Sequence, residues 1–455
     1  MRILLPALLL MAGATVLSAQ RAAPAAEVSP VRQPDLASQL DPATPNVLVI
    51  LLDDWGVDRF DAYAPSTART PVLDYVAGIG LRFEAAYADP VCSPTRSAAL
   101  TGQLGVRTGI MKGFPWINTT PDQVVLDPAT VDTVPEMLAP RGYQTAAIGK
   151  WHLTGTNWLP TPYMHPIDFG FDLHRGPITN LIVGIDDYDN YEYNFATVHG
   201  DTQSRETIYA TTKQVDDALG FIDRHKTRPW FVWLALSAPH KPWTLPPQEL
   251  VSVDLTTVTT PRQQYDAVLE AADTEIGRLL TSIRPAVMQN TVVLIMGDNG
   301  TPKSAFSITV PPKKGSVAQG GIHVPLLAWH AGVRPGTVSD MVHAVDLHAT
   351  ILELAGADPV TPTDSVSFAP LLSGAFAGER DWVYATHRNP IGFGPWFQDA
   401  SAALDANFKV RDENGFRNLY RLGPGEAENI RIPPFNAAES AAFQKLNTIL
   451  NQLEP

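Results

Sequence analysis

The chain contains one cysteine in 455 residues, so no intramolecular disulfide can form and the fold must stand on its apolar core. It has no basic excess either. Its 33 Lys and Arg stand against 47 Asp and Glu, a net charge of −14, which excludes the basic stripe a nucleic-acid surface requires. The same deficit removes any long-range attraction for an anionic ligand, so an anion site has to be built locally. Beyond the run from Ile3 to Leu17, no stretch offers the roughly 20 uninterrupted apolar residues of a membrane span, and no stable membrane insertion is expected. Internal repeats and runs of like charge are also missing. What the chain does have is apolar material, 45% of its residues, enough to bury a large core.

Met1 and Arg2 precede the apolar run, and small residues ending at Ala19 follow it. This is the pattern of a cleaved export signal over residues 1–19, which predicts a secreted or periplasmic protein. No cysteine follows that run, so a lipid anchor has no attachment atom there. Residues 20–45, rich in Ala and Pro, read as a linker. Asn46–Leu52 and Trp230–Leu236 are continuous apolar runs, as are Thr145–Ile148 and Thr291–Met296, and all four suit strands buried on both faces. Helical patterns lie between them at Thr70–Gly78, Thr133–Arg141, Thr207–His225 and Arg262–Ile283, with another at Asp346–Ala355. The alternation predicts an α/β domain over 46–369, a mostly parallel sheet sandwiched by helices. Short strands at Asp381–Thr386, Phe408–Arg411 and Arg417–Arg421 predict a small C-terminal α+β subdomain over 370–455 with an antiparallel sheet.

Polar residues stand directly after the apolar runs: Asp53-Asp54, Lys150 with His152, His240, and Asp298-Asn299. Ligands of open α/β sheets bind beyond the carboxyl ends of the strands, so these groups are expected to face one place. Lys150 and His152 lie two apart, and in an extended segment both side chains would point the same way. The cysteine sits in Cys92-Ser93-Pro94-Thr95-Arg96, followed by Leu100-Thr101-Gly102. Ser93 can cap a helix whose first residue is Pro94, which sets Cys92 at a helix N-terminus where free N–H groups favour an anion. A lone cysteine is most often a small buried hydrophobe. Pro and Arg at +2 and +4 nevertheless fall there by chance only about once in 400 at ordinary usage.

These residues resemble the formylglycine-dependent sulfatases of the alkaline phosphatase superfamily. The resemblance continues through Gly149-Lys150-Trp151-His152, Ala238-Pro239-His240-Lys241-Pro242, Gly297-Asp298-Asn299-Gly300 and Lys314-Gly315-Ser316, and spans about Asn46 to Gly356. It departs at Gln319 and His323, where the family usually carries Glu and Arg in a supporting loop. The resemblance implies that a formylglycine-generating maturation enzyme oxidises Cys92 to an aldehyde, and that the chain hydrolyses sulfate esters. It implies catalytic roles for Cys92, Arg96, Lys150, His152, His240 and Lys314. Asp53, Asp54, Asp298 and Asn299 offer hard oxygen ligands, which suit Ca2+, with Mg2+ the alternative. By the resemblance they form one metal site with position 92. Arg96, Lys150 and Lys314 would then stabilise the sulfate oxygens, His240 or else Lys314 would protonate the leaving oxygen, and His152 would take a proton from the second hydroxyl. A sulfated carbohydrate is the expected substrate. Two rivals keep the same residues: a phosphonate monoester or phosphodiester hydrolase, and a non-catalytic carbohydrate-binding relative in which Cys92 stays a thiol. Trp55, Trp116 and Trp158 are candidates for the pocket mouth, although core packing explains large aromatics equally well. Residues 157–194 and 389–397 are expected to shape specificity.

Overall fold

The computed structural model describes residues 44–113, 126–154, 162–181, 193–197, 202–305, 313–358, 363–374, 378–388, 399–423 and 427–454. The expected export signal, the linker up to residue 43, Trp116, Trp158, residues 157–161 and 182–192 of one specificity segment and all of the other, 389–397, lie outside the described residues. No helix among the described residues is long and apolar enough to cross a membrane.

The main sheet comprises β1 (Asn46–Leu52), β2 (Leu81–Tyr87), β3 (Gln144–Gly149), β4 (Leu173–Gly176), β5 (Tyr193–Thr197), β6 (Thr202–Glu206), β7 (Trp230–Leu236), β8 (Thr291–Gly297), β9 (Leu326–Trp329) and β10 (Gly336–His343). Their order is β10-β2-β9-β8-β1-β7-β3-β4-β5-β6. Only β9 and β5 run against the rest, so the sheet is mostly parallel as expected. Alternate residues of β1 explain why its run is apolar throughout. Val47, Val49 and Leu51 pack on one face with Leu100, Leu138 and Ile351, while Leu48, Ile50 and Leu52 pack on the other with Val76, Phe221 and Leu269. Helices therefore cover both faces, the arrangement that a strand without polar alternation requires.

Strands β1 and β7 coincide with their apolar runs, and the helices at Pro71–Ile79, Pro261–Ser282 and Asp346–Leu354 fall within a residue of expectation. Two helices are shorter than their patterns. The one at Val134–Leu138 tightens into a 3-10 turn over Ala139–Arg141, where Pro140 cannot donate to a continuing α-helix, and the one ending at His225 begins only at Ala210. Gly149 ends β3 at φ 92°, and a Cβ there would sit 2.0 Å from the Ala235 carbonyl oxygen. Gly149→Ala is therefore expected to destabilise the protein by about 3 kcal/mol or more, read as a fall in the denaturant midpoint.

A second sheet runs antiparallel in chain order: β11 (Val383–His387), β12 (Ala400–Leu404), β13 (Phe408–Glu413), β14 (Phe416–Leu422) and β15 (Glu428–Arg431). Asn414 and Gly415 have φ of 55° and 83°, so the turn sequence closes β13 onto β14 as a hairpin. The helix Ala437–Leu453 buries Leu446 and Leu450 against Val410 and Leu419 of this sheet. Ala98, from the helix Cys92–Thr101, lies in the same cluster, while Ala99 and Leu100 belong to the main core. The helix that begins at Cys92 is thus clamped between the two units.

Candidate active site

Leu52 of β1 stands level with Leu236 of β7 and Gly297 of β8, and Gly149 of β3 stands level with Ala235 of β7. Four adjacent strands therefore end at one rim. The residues that follow are Asp53-Asp54, Ser237, Asp298-Asn299 and Lys150, all buried, so polar groups distant in sequence share one location.

The cysteine helix starts two residues earlier than its sequence suggests. Its cap is Val91, extended at φ −145° and ψ 161°, with no side-chain cap bond, so Cys92 is the first helical residue and neither Ser93 nor Pro94 holds its expected place. Proline is accepted two positions later because the whole first turn lacks intrahelical acceptors. Thr95 sets the entry: its Oγ1 accepts from Asp89 N at 3.0 Å and donates to the Asp298 carbonyl at 2.7 Å. Cys92, only 3% exposed, places Sγ 3.1 Å from His152 Nδ1 and 3.3 Å from Lys150 Nζ. Lys150 and His152 do converge, but not through an extended segment. His152 is left-handed at φ 60°, and the turn is held by Trp151 N bonding Pro177 O and His152 N bonding Ile178 O, at 3.0 and 2.8 Å.

Behind the thiol, Arg96 reaches Asp298 Oδ2 through Nε at 3.1 Å and Nη2 at 2.9 Å, and Asp53 Oδ2 through Nη2 at 3.2 Å. Its remaining nitrogen donates to the Lys150 carbonyl, and the Lys150 ammonium pairs with Asp53. Lys314 pairs with Asp54, which also accepts from Asn299 Nδ2 at 2.8 Å, and His240 Nε2 lies 3.9 Å from Asp54. Burial works to raise the Asp53 pKa, but Lys150, His240 and Arg96 outweigh it and hold Asp53 well below the carboxylate range. Burial and the Asp53 charge push Asp298 up to about 6. Burial raises the Cys92 thiol. Burial, Lys150 and Arg96 drive His152 well below its ordinary value, and burial with Lys314 brings His240 to about 4. Burial works against the charged form of Lys314, yet Asp54 keeps its pKa above the ordinary lysine value. The site thus holds two neutral imidazoles and three cations around a carboxylate cluster.

A family model described as Sulfatase matches residues 45–357. The chain belongs to the sulfatase family, a family of sulfuric ester hydrolases. It is 30% identical to the N-acetylgalactosamine-6-sulfatase of Canis lupus familiaris over 374 residues, 75% of this chain and 69% of that protein. It is 32% identical to the Homo sapiens enzyme of the same name over 351 residues, 71% of this chain and 64% of that protein. The chain therefore spans about two thirds of these mammalian sulfatases. The crystal structure of Ps i-CgsB in complex with k-i-k-neocarrahexaose is 25% identical, with a TM-score of 0.70 over 83% of this chain and 86% of that one.

The donor set of this sulfatase fits a hard divalent cation. Asp53 Oδ1 and Asn299 Oδ1 are buried without a hydrogen-bond donor among the described residues, and such oxygens are costly unless something positive reaches them. Ligand atoms of Asp53, Cys92 and Asp298 lie within 4.8 Å of one another, as do those of Asp53, Asp54 and His240. Oxygen ligands of this kind suit Ca2+ or Mg2+. Sequence reasoning missed Thr95 and also Tyr265, whose hydroxyl donates to the Asp54 carbonyl at 2.8 Å where Asp54 is left-handed at φ 75°. Both are single polar residues inside helices and carry no local signature. Trp55, fully buried, belongs to the core and not to a pocket mouth. At the two departures from the family pattern, Gln319 Oε1 accepts from Lys409 at 3.1 Å and His323 Nε2 bonds the Glu84 carbonyl at 2.8 Å, tying the loop to both units.

Proposed function

We propose that this sulfatase-family member hydrolyses sulfate esters of carbohydrates, with Cys92 converted to formylglycine and a divalent cation, Ca2+ in preference to Mg2+, beside it. The observation that carries the reading is Cys92 Sγ itself, at a helix N-terminus and within 3.3 Å of both Lys150 and His152. Carbohydrate substrates are favoured by the relatives named for N-acetylgalactosamine 6-sulfate. Export, inferred from residues 1–19, would bring the protein to such substrates outside the cytosol. At 3% exposure Cys92 is out of reach in the folded chain, so the maturation enzyme would act before folding.

Hydrated formylglycine supplies two hydroxyls on one carbon, one to attack sulfur and one to give up a proton later. Asp53, Asp54, Asp298, Asn299 and position 92 would hold the cation, which when bound would supply positive charge to lower a hydroxyl pKa and offset the sulfate oxygens. Lys150 and Lys314 reach the anion directly. Arg96, fully buried and paired with Asp53 and Asp298, acts one layer back by holding the carboxylates in place. His240, partly exposed and neutral at rest, takes up a proton from solvent as the negative sulfate ester enters and donates it to the leaving oxygen. His152, against position 92, removes a proton from the second hydroxyl as the bond from that carbon to the sulfate oxygen breaks, releasing sulfate and re-forming the aldehyde.

His240→Ala is accordingly expected to slow esters of sugar alcohols at least about a hundredfold more than activated aryl sulfates, whose oxygen departs unaided. His152→Ala should slow both ester types to one limit and show a burst of one equivalent of alcohol with free sulfate lagging. Equal losses on both esters for His240→Ala would transfer the acid role to Lys314. The function itself is tested by assaying sulfated sugars against a phosphodiester and a phosphonate monoester, on protein co-produced with the oxidising enzyme. Sulfate esters are expected to win by about a hundredfold or more in kcat/KM, and a phosphoester preference would reject the sulfatase reading.

A further inference from the structure

His240 forms part of a cavity that none of the proposed steps requires. Leu181, Ala238, Pro242 and Val268 give it apolar walls, and Ala210, Thr211 and Thr244 bring polar groups. We infer that this cavity receives a neutral N-acyl substituent of the sugar that carries the ester, an inference that rests on the carbohydrate reading above.

Three observations carry it. First, the 16-residue helix Ala210–His225 begins here, capped by Tyr209 with no side-chain cap bond. The backbone N–H groups of Ala210 and Thr211 have no acceptor among the described residues, so donors are presented to the cavity without a protein partner. Second, Thr211 is only 2% exposed, yet its hydroxyl bonds no described residue, and neither does the hydroxyl of the half-buried Thr244. Ser237 is different, because its hydroxyl already accepts from Gln214 Nε2 at 2.8 Å. Both hydroxyls line the cavity and are open to it, so an acceptor on a ligand there can take them without breaking a bond inside the protein. Third, no Lys or Arg lines the cavity among the described residues. A second sulfate would leave its water shell with no cation to receive it, which is unfavourable even at a helix N-terminus. A bare hydroxyl would leave the apolar wall unused. An amide carbonyl with a methyl group satisfies both: its oxygen takes the N–H and hydroxyl donors, and its methyl lies on Leu181, Ala238 and Val268.

The test is binding of three galactose-series ligands to Cys92→Ala protein with Ca2+ present, each ligand as its 4- and 6-sulfate. The ligands are N-acetylgalactosamine sulfate, galactose sulfate and N-sulfogalactosamine sulfate, titrated by calorimetry. The N-acetyl sugar is expected to bind about tenfold tighter than the other two for at least one ester position. Adding Thr211→Val and Thr244→Val, near-isosteric changes whose folding is checked by melting, should shrink that preference to within about threefold while galactose sulfate affinity hardly moves. Equal binding of the N-acetyl and plain sugars, tighter binding of the N-sulfo sugar, an undiminished preference in the double variant, or no detectable binding of the N-acetyl sugar would each overturn the assignment. A preference in binding with no turnover of any sulfate ester by mature enzyme would support the cavity assignment and overturn the proposed reaction.

Discussion

Cys92→Ala is expected to lower turnover of every sulfate ester by roughly 10^4-fold or more, the scale seen when a nucleophile is removed from an otherwise intact site. The size follows from the surroundings. Lys150, His152, Lys314 and the carboxylates remain, so the variant still binds the sulfate ester but has no group at position 92 to attack sulfur. The fold should survive, because the change deletes one buried sulfur from a helix anchored elsewhere by Thr95, Ala99 and Leu100. A loss of about 1 kcal/mol is expected, visible as a shift of a few degrees in melting temperature. Cys92→Ser restores one hydroxyl but not two. It should release at most one equivalent of alcohol and then stop, because His152 finds no second hydroxyl to deprotonate. Steady turnover by either variant would show that the reacting atom lies elsewhere.

Asp298→Ala should have the second-largest effect, and on two properties at once. Arg96 would lose both its contacts to Asp298 Oδ2, at 3.1 and 2.9 Å, leaving a fully buried guanidinium with Asp53 as its remaining carboxylate. Removing one partner of a buried charge pair costs about 3–5 kcal/mol. The Asp54 backbone N–H would also lose its acceptor at 3.0 Å, loosening the left-handed residue beside the cation ligands. Divalent cation should raise the melting temperature of the parent protein in proportion to the logarithm of its concentration, because it binds only the native state. In the variant that dependence should flatten and activity should fall with it. Unchanged metal content and activity would mean that the ligands have been misplaced.

What was legible in the sequence was whatever repeats or clusters locally. The strands β1 and β7 are seven-residue apolar runs buried on both faces, and their limits coincide with the structure. Strand β9 is only four residues and β10 is half exposed, so neither carries the same signal, and both were missed. The helix Ala437–Leu453 was missed as well, although Asn436 and Glu439 form a capping box at its start. The site followed the same rule. Carboxylates directly after strand ends could be placed at one rim, because parallel register brings those ends level. The reach of Thr95 to the Asp298 carbonyl and of Tyr265 to the Asp54 carbonyl could not, because each bond joins residues about 200 positions apart. The left-handed turn at His152 was hidden for a related reason. It is imposed by the neighbouring segment Pro177–Ile178, and local preference would have kept a histidine extended.

The central claim is that position 92 acts as an aldehyde, and peptide mass spectrometry of active protein tests it most directly. Protein produced with the oxidising enzyme should give a peptide around position 92 whose mass matches formylglycine or its hydrate, in a fraction that rises in step with specific activity across preparations. Fully active protein in which that peptide carries only the thiol would contradict the account.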